Sequence, residues 1–280
     1  MDELVAIGRA RKLVESIASP PVDVEALIAD NGIVFKETDR LSPGEAGNTV
    51  TKGGMTYIVV NKNDDPFRRR FTALHELAHN VLQLPSKHGV IASNELERFA
   101  GRPAEERVCD VFAAECLVPS HLVRPMVARS PFSIDFLLEL SQTFQASKQC
   151  AASSYVRNSK DLVAYVYAER GKVHHVLPSS ALRDAKIFID YGMLPGESAA
   201  ARTISSKTRS ALAELDASDW SASDAALAYA CYEEALFAPA WDQTHSLLTF
   251  EQVSRLDRSV VVDGDEDELL PEITGHLNWN

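Results

Sequence analysis

The chain has 280 residues, of which 45% are hydrophobic, and its formal net charge at pH 7 is −12. This length suffices for one large domain or two to three smaller ones, and the apolar content suffices for a buried core. Because nucleic-acid binding depends on cationic surfaces, the acidity argues against direct nucleic-acid binding and suits a basic protein partner. No apolar run has the length of a membrane span, and the acidic first residues differ from a signal peptide, so we expect a cytoplasmic protein without a membrane partner.

The four cysteines indicate neither a redox motif nor a thiolate metal site. They stand at Cys109, Cys116, Cys150 and Cys231, and no two of them form a CxxC pair. Disulfide frameworks and zinc ribbons show characteristic close spacings, which are missing here. We therefore predict that Cys109 and Cys116 are small buried hydrophobic residues.

The first predicted elements are two helices and a strand. Residues 2–18 have the apolar spacing of an amphipathic helix that ends before Pro20-Pro21. Its predicted apolar face consists of Leu4, Ile7, Leu13, Val14 and Ile17. Asp23 is a favourable N-cap for a short helix that ends at Asn31-Gly32, and a strand begins at Ile33.

A β-hairpin is predicted next. Residues 46–50 and 55–60 have strand-like composition and flank a turn at 51–54 that contains two glycines. If the strand at 55–60 lies at a sheet edge, an extended peptide could add to it through main-chain hydrogen bonds. The alternative, an ordinary core strand, is equally compatible with the pattern.

Residues 75–79 read His-Glu-Leu-Ala-His, the HExxH pattern, within a predicted helix. Asp65-Pro66 is a favourable helix start, and the buried stripe is predicted to be Phe67, Phe71, Leu74, Ala78 and Val81. Two histidines four residues apart lie on one helix face, so both can bind one metal ion. The intervening glutamate can act as a general base towards water. We predict His75 and His79 as ligands and Glu76 as the base; the alternative is a chance match.

A second helix is predicted between Pro103 and Pro119. Glu106, Asp110, Ala113 and Leu117 share one of its faces. A catalytic metal site needs a third protein ligand, and Glu106 is the candidate. Asp110, one turn later, can accept a hydrogen bond from a ligand imidazole and fix its tautomer. The alternative is a solvated acidic helix start, which the helix dipole favours.

The remaining sequence predicts further helices and then strands. Residues 119–158 look helical, and 133–157 has a helix-turn-helix-like rhythm with few cations, which favours a structural element over DNA binding. Residues 162–177 read as a hairpin with a turn at 169–172, in which His174 and His175 point to opposite faces and are poor joint ligands. Residues 222–236 look helical and 246–253 strand-like, and the acidic run at 262–268 is read as a solvated loop.

Three stretches resemble the ImmA/IrrE family of bacterial and phage metallopeptidases. They are residues 21–33, residues 57–61 with 68–79, and residues 106–119. By this resemblance His75, His79 and Glu106 are the metal ligands of a gluzincin-like site, and Glu76 is the general base. Asp110 stands where the family usually has asparagine and could serve the same role. The resemblance covers about residues 1–120 well and the rest loosely.

The resemblance implies an α+β architecture in three parts. A zincin-like metallopeptidase domain with the HExxH helix and a small β-sheet is expected over residues 1–120, and a helical element over 121–158. A C-terminal α+β sensor-like domain, a region sometimes likened to GAF domains, is expected over 159–280. We expect it to control when cleavage happens; the alternative is that it only completes the core of the first domain.

The activity implied is that of a metalloendopeptidase which cleaves a helix-turn-helix repressor encoded nearby and so relieves repression of stress-response or mobile-element genes. Zn²⁺ suits the His/His/Glu ligands, and Mn²⁺ can occupy them in cells. Two alternatives stay open: a regulator, non-catalytic or of toxin–antitoxin type, that binds its partner repressor, and a DNA-binding regulator that uses residues 119–158. His88 and His121 are candidate transition-state donors by proximity in sequence only.

Overall fold

A small sheet with helices around it forms the N-terminal part of the computed structural model, which describes residues 2–42, 44–85 and 103–253. The elements in chain order are α1 (Glu3–Val14), α2 (Val24–Asp30), β1 (Ile33–Thr38), β2 (Gly47–Lys52), β3 (Met55–Asn61), α3 (Pro66–Leu82) and α4 (Ala104–Leu117). The predicted short helix, hairpin, HExxH helix and second helix are all present. Asp23 caps α2 by accepting a hydrogen bond from the Ala26 amide.

The three-stranded sheet has the order β1-β3-β2. The β2–β3 hairpin turns at Gly53-Gly54, where both residues have positive φ values of 61° and 79° that favour glycine. Of the two alternatives for the strand at 55–60, the structure shows the core strand, because β1 pairs in parallel with the other side of β3. The edge strand on the hairpin side is therefore β2.

Helix α1 differs from its prediction in length and in buried face. It ends at Val14, and its buried residues are Ala6, Ala10 and Val14, whereas Leu4 is 75% exposed. These buried positions are spaced by four residues and lie on one face, which packs against α4. Of the predicted face, Val14 is buried and Ile7, Leu13 and Ile17 are partly buried, so only Leu4 is misplaced. The two alanines, which the prediction left out, are small enough to let α1 approach α4 closely.

Three helices follow, as predicted: α5 (Ser120–Val127), α6 (Ile134–Phe144) and α7 (Lys148–Asn158). Helix α7, the second helix of the helix-turn-helix-like rhythm, packs against α5, α6 and β4. Its Ala151, Ala152, Tyr155 and Val156 are buried in the main hydrophobic core. A helix covered on these sides has little surface to offer a DNA groove, which supports the structural interpretation.

The C-terminal part contains a five-stranded antiparallel sheet of order β5-β4-β8-β7-β6. Its elements are β4 (Val163–Glu169), β5 (Lys172–Pro178), α8 (Ser180–Asp184), α9 (Ala199–Ser206), β6 (Ser210–Asp216), two short 3₁₀ helices (Ala217–Asp219 and Asp224–Ala228), β7 (Tyr229–Ala238) and β8 (Gln243–Gln252). The predicted hairpin is present, and its turn residues Arg170 and Gly171 both have positive φ. The strand predicted at 246–253 corresponds to β8.

The helix predicted over residues 222–236 is wrong. Most of this stretch belongs to β7, which forms hydrogen bonds with β6 on one side and β8 on the other. The Ala/Leu/Glu composition favours a helix locally, but two complete ladders satisfy the backbone and alternate residues Cys231, Glu233 and Ala235 enter the interior. Tertiary pairing therefore outweighs the local preference.

The two faces of the large sheet contribute to different cores. Val163, Tyr165, Tyr167 and Leu247 join the main core, which also contains the buried residues of α1 to α7. The other face packs Ala164, Val166 and Leu248 with Trp220 and the segment that follows α8.

The structure is thus a mixed α+β fold. The division at residues 120 and 158 and the likeness to GAF domains stay predictions, and the acidic run at 262–268 lies outside the described residues. Within the described ranges no helix combines the length and hydropathy of a membrane span.

Candidate metal centre

Helix α3 carries the HExxH residues and begins as its sequence predicts. The Asp65 side chain accepts hydrogen bonds from the amides of Phe67 and Arg68, and Pro66 occupies the first turn. The sequence predicted that only one face of α3 is buried, but every residue from Ala73 to His79 is buried. It lies between the small sheet and α4 and contacts both. The two histidines and the glutamate are therefore shielded from bulk solvent.

Helix α4 brings the predicted carboxylates to the histidines. His75 Nε2 lies 3.1 Å from Glu106 Oε2 and 3.2 Å from His79 Nε2, and His79 Nε2 lies 3.6 Å from Glu106 Oε1. All three side chains are buried. One ligand atom from each lies within 4.8 Å of the others. The structure therefore brings together the three predicted ligands, which belong to two helices.

The donor set fits a divalent transition metal. Ligands of a tetrahedral zinc ion at about 2.0–2.1 Å stand about 3.3 Å from one another, which is close to the separations seen here. Two imidazole nitrogens that face each other at 3.2 Å are stable only with a proton or a cation between them. The His/His/Glu chemistry and the geometry thus agree.

Asp110 fixes the orientation of the His75 ring through its Nδ1 atom. Its Oδ1 lies 3.0 Å from His75 Nδ1. Because a carboxylate only accepts, the Nδ1–H donates, which directs the lone pair of Nε2 towards the other donors. Asp110 is 1% exposed, so this contact is shielded from solvent. The position assigned to Asp110 from the sequence matches this geometry.

The electrostatics of the cluster favour a positive charge at its centre. Burial lowers the pKa of His75, but hydrogen bonds to Asp110 and Glu106 and the charges of Asp110 and Glu76 outweigh it and raise the pKa to about 9. Hydrogen bonds from His75 and His79 hold the pKa of the Glu106 carboxyl well below its usual range. A proton or a metal ion can supply this charge.

Glu76 lies beside the ligands and is 1% exposed. Its Oε2 accepts a hydrogen bond of 2.8 Å from the Thr49 hydroxyl on strand β2. The sequence did not point to Thr49, which no motif marks. The available signal was the hairpin register, which places Thr49 opposite the fully buried Ile58 and so on the inner face of the sheet.

Of the other predicted residues, the cysteines behave as expected. Cys109 and Cys116 are buried, and burial raises the pKa of the Cys116 thiol further above its usual value. The His121 Nε2–H donates to the Ile17 carbonyl at the surface, and so joins α5 to the segment that follows α1. His88 lies outside the described residues.

Comparisons with known proteins agree with this site. Residues 30–153 match the family model described as the IrrE N-terminal-like domain, peptidase family M78. That range contains all five predicted site residues and Thr49. A solved structure named "Mycobacterium tuberculosis transcriptional regulator" has a similar fold, with 12% identity, a TM-score of 0.58, and coverage of 94% of this chain and 81% of that chain. No curated protein matches significantly.

Proposed function

The chain belongs, through residues 30–153, to the ImmA/IrrE family of metallopeptidases, and on that premise we propose that it is a zinc-dependent endopeptidase. The observation that carries the proposal is the convergence of His75, His79 and Glu106 next to a buried glutamate that is not a ligand. A module that only binds a partner needs ligands to keep its shape, but it needs no base at the metal. The presence of Glu76 therefore favours catalysis over the non-catalytic alternative.

His75, His79 and Glu106 would hold the ion. Zinc is proposed because it accepts imidazole nitrogen and carboxylate oxygen in a site that keeps one position open, and Mn²⁺ also accepts these ligands. When bound, the ion supplies Lewis acidity towards water and the scissile carbonyl. Asp110 keeps the proton of His75 on Nδ1, so that Nε2 remains a ligand atom.

Glu76 carries the proton transfer. Its carboxylate takes a proton from the attacking water and passes it to the leaving amine as the peptide bond breaks. Burial excludes bulk water from this step. The arrangement is suited to hydrolysis of an amide, where proton delivery to the amine nitrogen is required.

Strand β2 is the proposed docking edge for the substrate. It is the outer strand next to the site, and its other side pairs with β3. A peptide in extended conformation could pair with its outer backbone groups, which would place one peptide bond beside Glu76. The sequence had suggested residues 55–60 as the strand to which a peptide could add. That strand is central in the sheet, so β2 is proposed in its place.

The proposed substrate is a helix-turn-helix repressor encoded nearby, cleaved to relieve repression of stress-response or mobile-element genes. The family resemblance supplies this part of the proposal, and the net charge of −12 is compatible with a basic DNA-binding partner. The solved structure with a similar fold is named a transcriptional regulator, which is compatible with a role in the control of transcription. The proposed location is the cytoplasm.

The experiment compares cells that produce the wild-type chain, Glu76→Gln or the exposed control Glu105→Gln. Mass spectrometry of newly formed protein N-termini should find a cleavage in a helix-turn-helix protein with wild type and Glu105→Gln but not with Glu76→Gln. A cleaved protein of another class would overturn only the proposed substrate. The same set of N-termini in all three strains would overturn the peptidase proposal, and partner capture without cleavage would support the binding alternative.

A further inference from the structure

We propose that Thr49 is a positioning residue for the general base: its hydroxyl holds the Glu76 carboxylate in place and links the base to the docking strand. This inference rests on the proposed function, because it assigns a role to Glu76 in hydrolysis. The contact is the 2.8 Å hydrogen bond from Thr49 Oγ1 to Glu76 Oε2. Through this bond Thr49 contacts the proposed base, so its effect on hydrolysis would pass through Glu76.

The approach of β2 to α3 makes this contact possible. Gly47, two residues before Thr49, packs so closely on α3 that an added Cβ would lie 2.7 Å from Thr72 Cγ2, and it would also lie 2.9 Å from the Val59 carbonyl oxygen of the neighbouring strand β3. Its φ is not positive, so space alone requires glycine here. A larger residue would hold β2 away from the helix.

Strand β2 and helix α3 run side by side through two successive contacts, Gly47 with Thr72 and Thr49 with Glu76. Gly47 and Thr49 are separated by two strand residues, or about 6.6 Å. Thr72 and Glu76 are separated by four helix residues, or about 6.0 Å. These two distances along the chain are nearly equal, so the contact of Gly47 with Thr72 and the contact of Thr49 with Glu76 can form at the same time. Together they hold β2 alongside the face of α3 that leads to the candidate metal centre.

The hydrogen bond from Thr49 is one of the contacts that restrict the rotamer of the buried Glu76 side chain. Glutamate has three rotatable side-chain bonds, and a base must be held within about 0.5 Å of its productive position. Thr49 fixes one carboxylate oxygen from a residue in the strand that would also pair with the substrate. Substrate register and base position therefore depend on the same short strand.

The test uses the full-length zinc-loaded protein and acetohydroxamic acid, a chelator whose acidic proton can pass to a nearby carboxylate. Calorimetry measures its dissociation constant for wild type, Thr49→Val, Thr49→Ser and the matched control Thr51→Val, an exposed threonine of the same strand. Thr49→Val should weaken binding about tenfold, since the Glu76 carboxylate would no longer be held where it accepts the proton of the hydroxamic acid. Thr49→Ser and Thr51→Val should stay within about twofold of wild type. Zinc affinity should be the same in all four proteins.

A double-mutant cycle with Glu76→Gln shows whether Thr49 acts through the base. Thr49→Val should cause no further loss when Glu76 is already glutamine. Equal binding by Thr49→Val and wild type, or the same loss in both backgrounds, would refute the positioning role and leave the proposed function intact. If Glu76→Gln itself bound like wild type, the proposed base would be wrong and the Thr49 proposal would fall with it.

Discussion

Replacing Gly47 by alanine would separate strand β2 from helix α3 without touching a ligand or the base. The new Cβ would lie 2.7 Å from Thr72 Cγ2, whereas ordinary contacts begin at 3.4 Å, so with Thr72 in its present rotamer the strand must move by about 0.7 Å (3.4 minus 2.7). Rotation of Thr72 could relieve that contact, but the Val59 carbonyl at 2.9 Å is backbone and cannot rotate away. The same movement would lengthen the 2.8 Å bond between Thr49 and Glu76 to about 3.5 Å.

Two losses follow from this displacement. Overpacking of this kind lowers the free energy of unfolding by about 1–3 kcal/mol. A hydroxyl-to-carboxylate distance of about 3.5 Å is beyond the usual range for hydrogen bonds, so kcat should fall about tenfold as Glu76 loses its support. The zinc content should not change, because His75, His79 and Glu106 lie on other elements.

Urea denaturation, zinc analysis and cleavage kinetics on the Gly47→Ala protein measure these effects. Gly8→Ala is the matched control, since an added Cβ at Gly8 meets nothing within 4 Å. It lies in a helix, where alanine is more favourable than glycine, so its stability should be equal or higher. If Gly47→Ala matched this control in stability and in kcat, the reasoning on the close approach of β2 would be refuted.

Three further predictions concern other parts of the molecule. Asp110→Ala should weaken zinc binding about 10–100-fold in chelator competition, and Asp110→Asn less, because its side-chain oxygen still accepts from His75 Nδ1; equal affinity of all three proteins would exclude the orienting role. Burial, together with the charge of Lys148, lowers the pKa of His245 from 6.5 to about 3, so its contribution to stability is complete above pH 6.5 and decreases as the pH falls. Acidification from pH 7 to pH 5 should therefore cost about 2 kcal/mol, and His245→Gln should reduce that dependence; an unchanged slope would contradict this. A fragment that ends at Asn158 should be insoluble, because it loses the sheet face with Tyr165 and Leu247 that covers the main core; a soluble, zinc-loaded fragment would instead support a separate C-terminal regulatory unit.

The arrangement of the candidate metal ligands was largely predictable because most of the information for it is local. The spacing of His75 and His79 defines one helix face, and the glutamate between them is the candidate base. Glu106 and Asp110 repeat at helical spacing as well, but their pairing with α3 required a family pattern. The distance between two helices is not encoded in either helix alone.

Thr49 was missed for the same reason. The hairpin register puts it on the inner face of β2, yet only the packing of Gly47 on Thr72 shows that this face meets Glu76. A glycine within a strand next to an HExxH helix was the available signal of a close approach.

The errors arose where long-range contacts decide the local structure. The parallel partner of β3 is β1, which precedes the hairpin, so the central place of β3 could not be read from the hairpin. In the same way, pairing with β6 and β8 makes residues 229–238 a strand although their composition favours a helix. The buried alanines of α1 also reflect a partner, α4, that lies far along the chain.

Zinc content in a pair of adjacent glutamate variants tests the central claim most directly. Glu105 and Glu106 are neighbours on α4, but Glu105 is exposed and Glu106 lies buried with the histidines. Elemental analysis should find about one zinc ion per chain in wild type and in Glu105→Ala, and little in Glu106→Ala, because a catalytic site takes three protein ligands. Full zinc content in Glu106→Ala would contradict the ligand set, and with it the metal centre described for this fold.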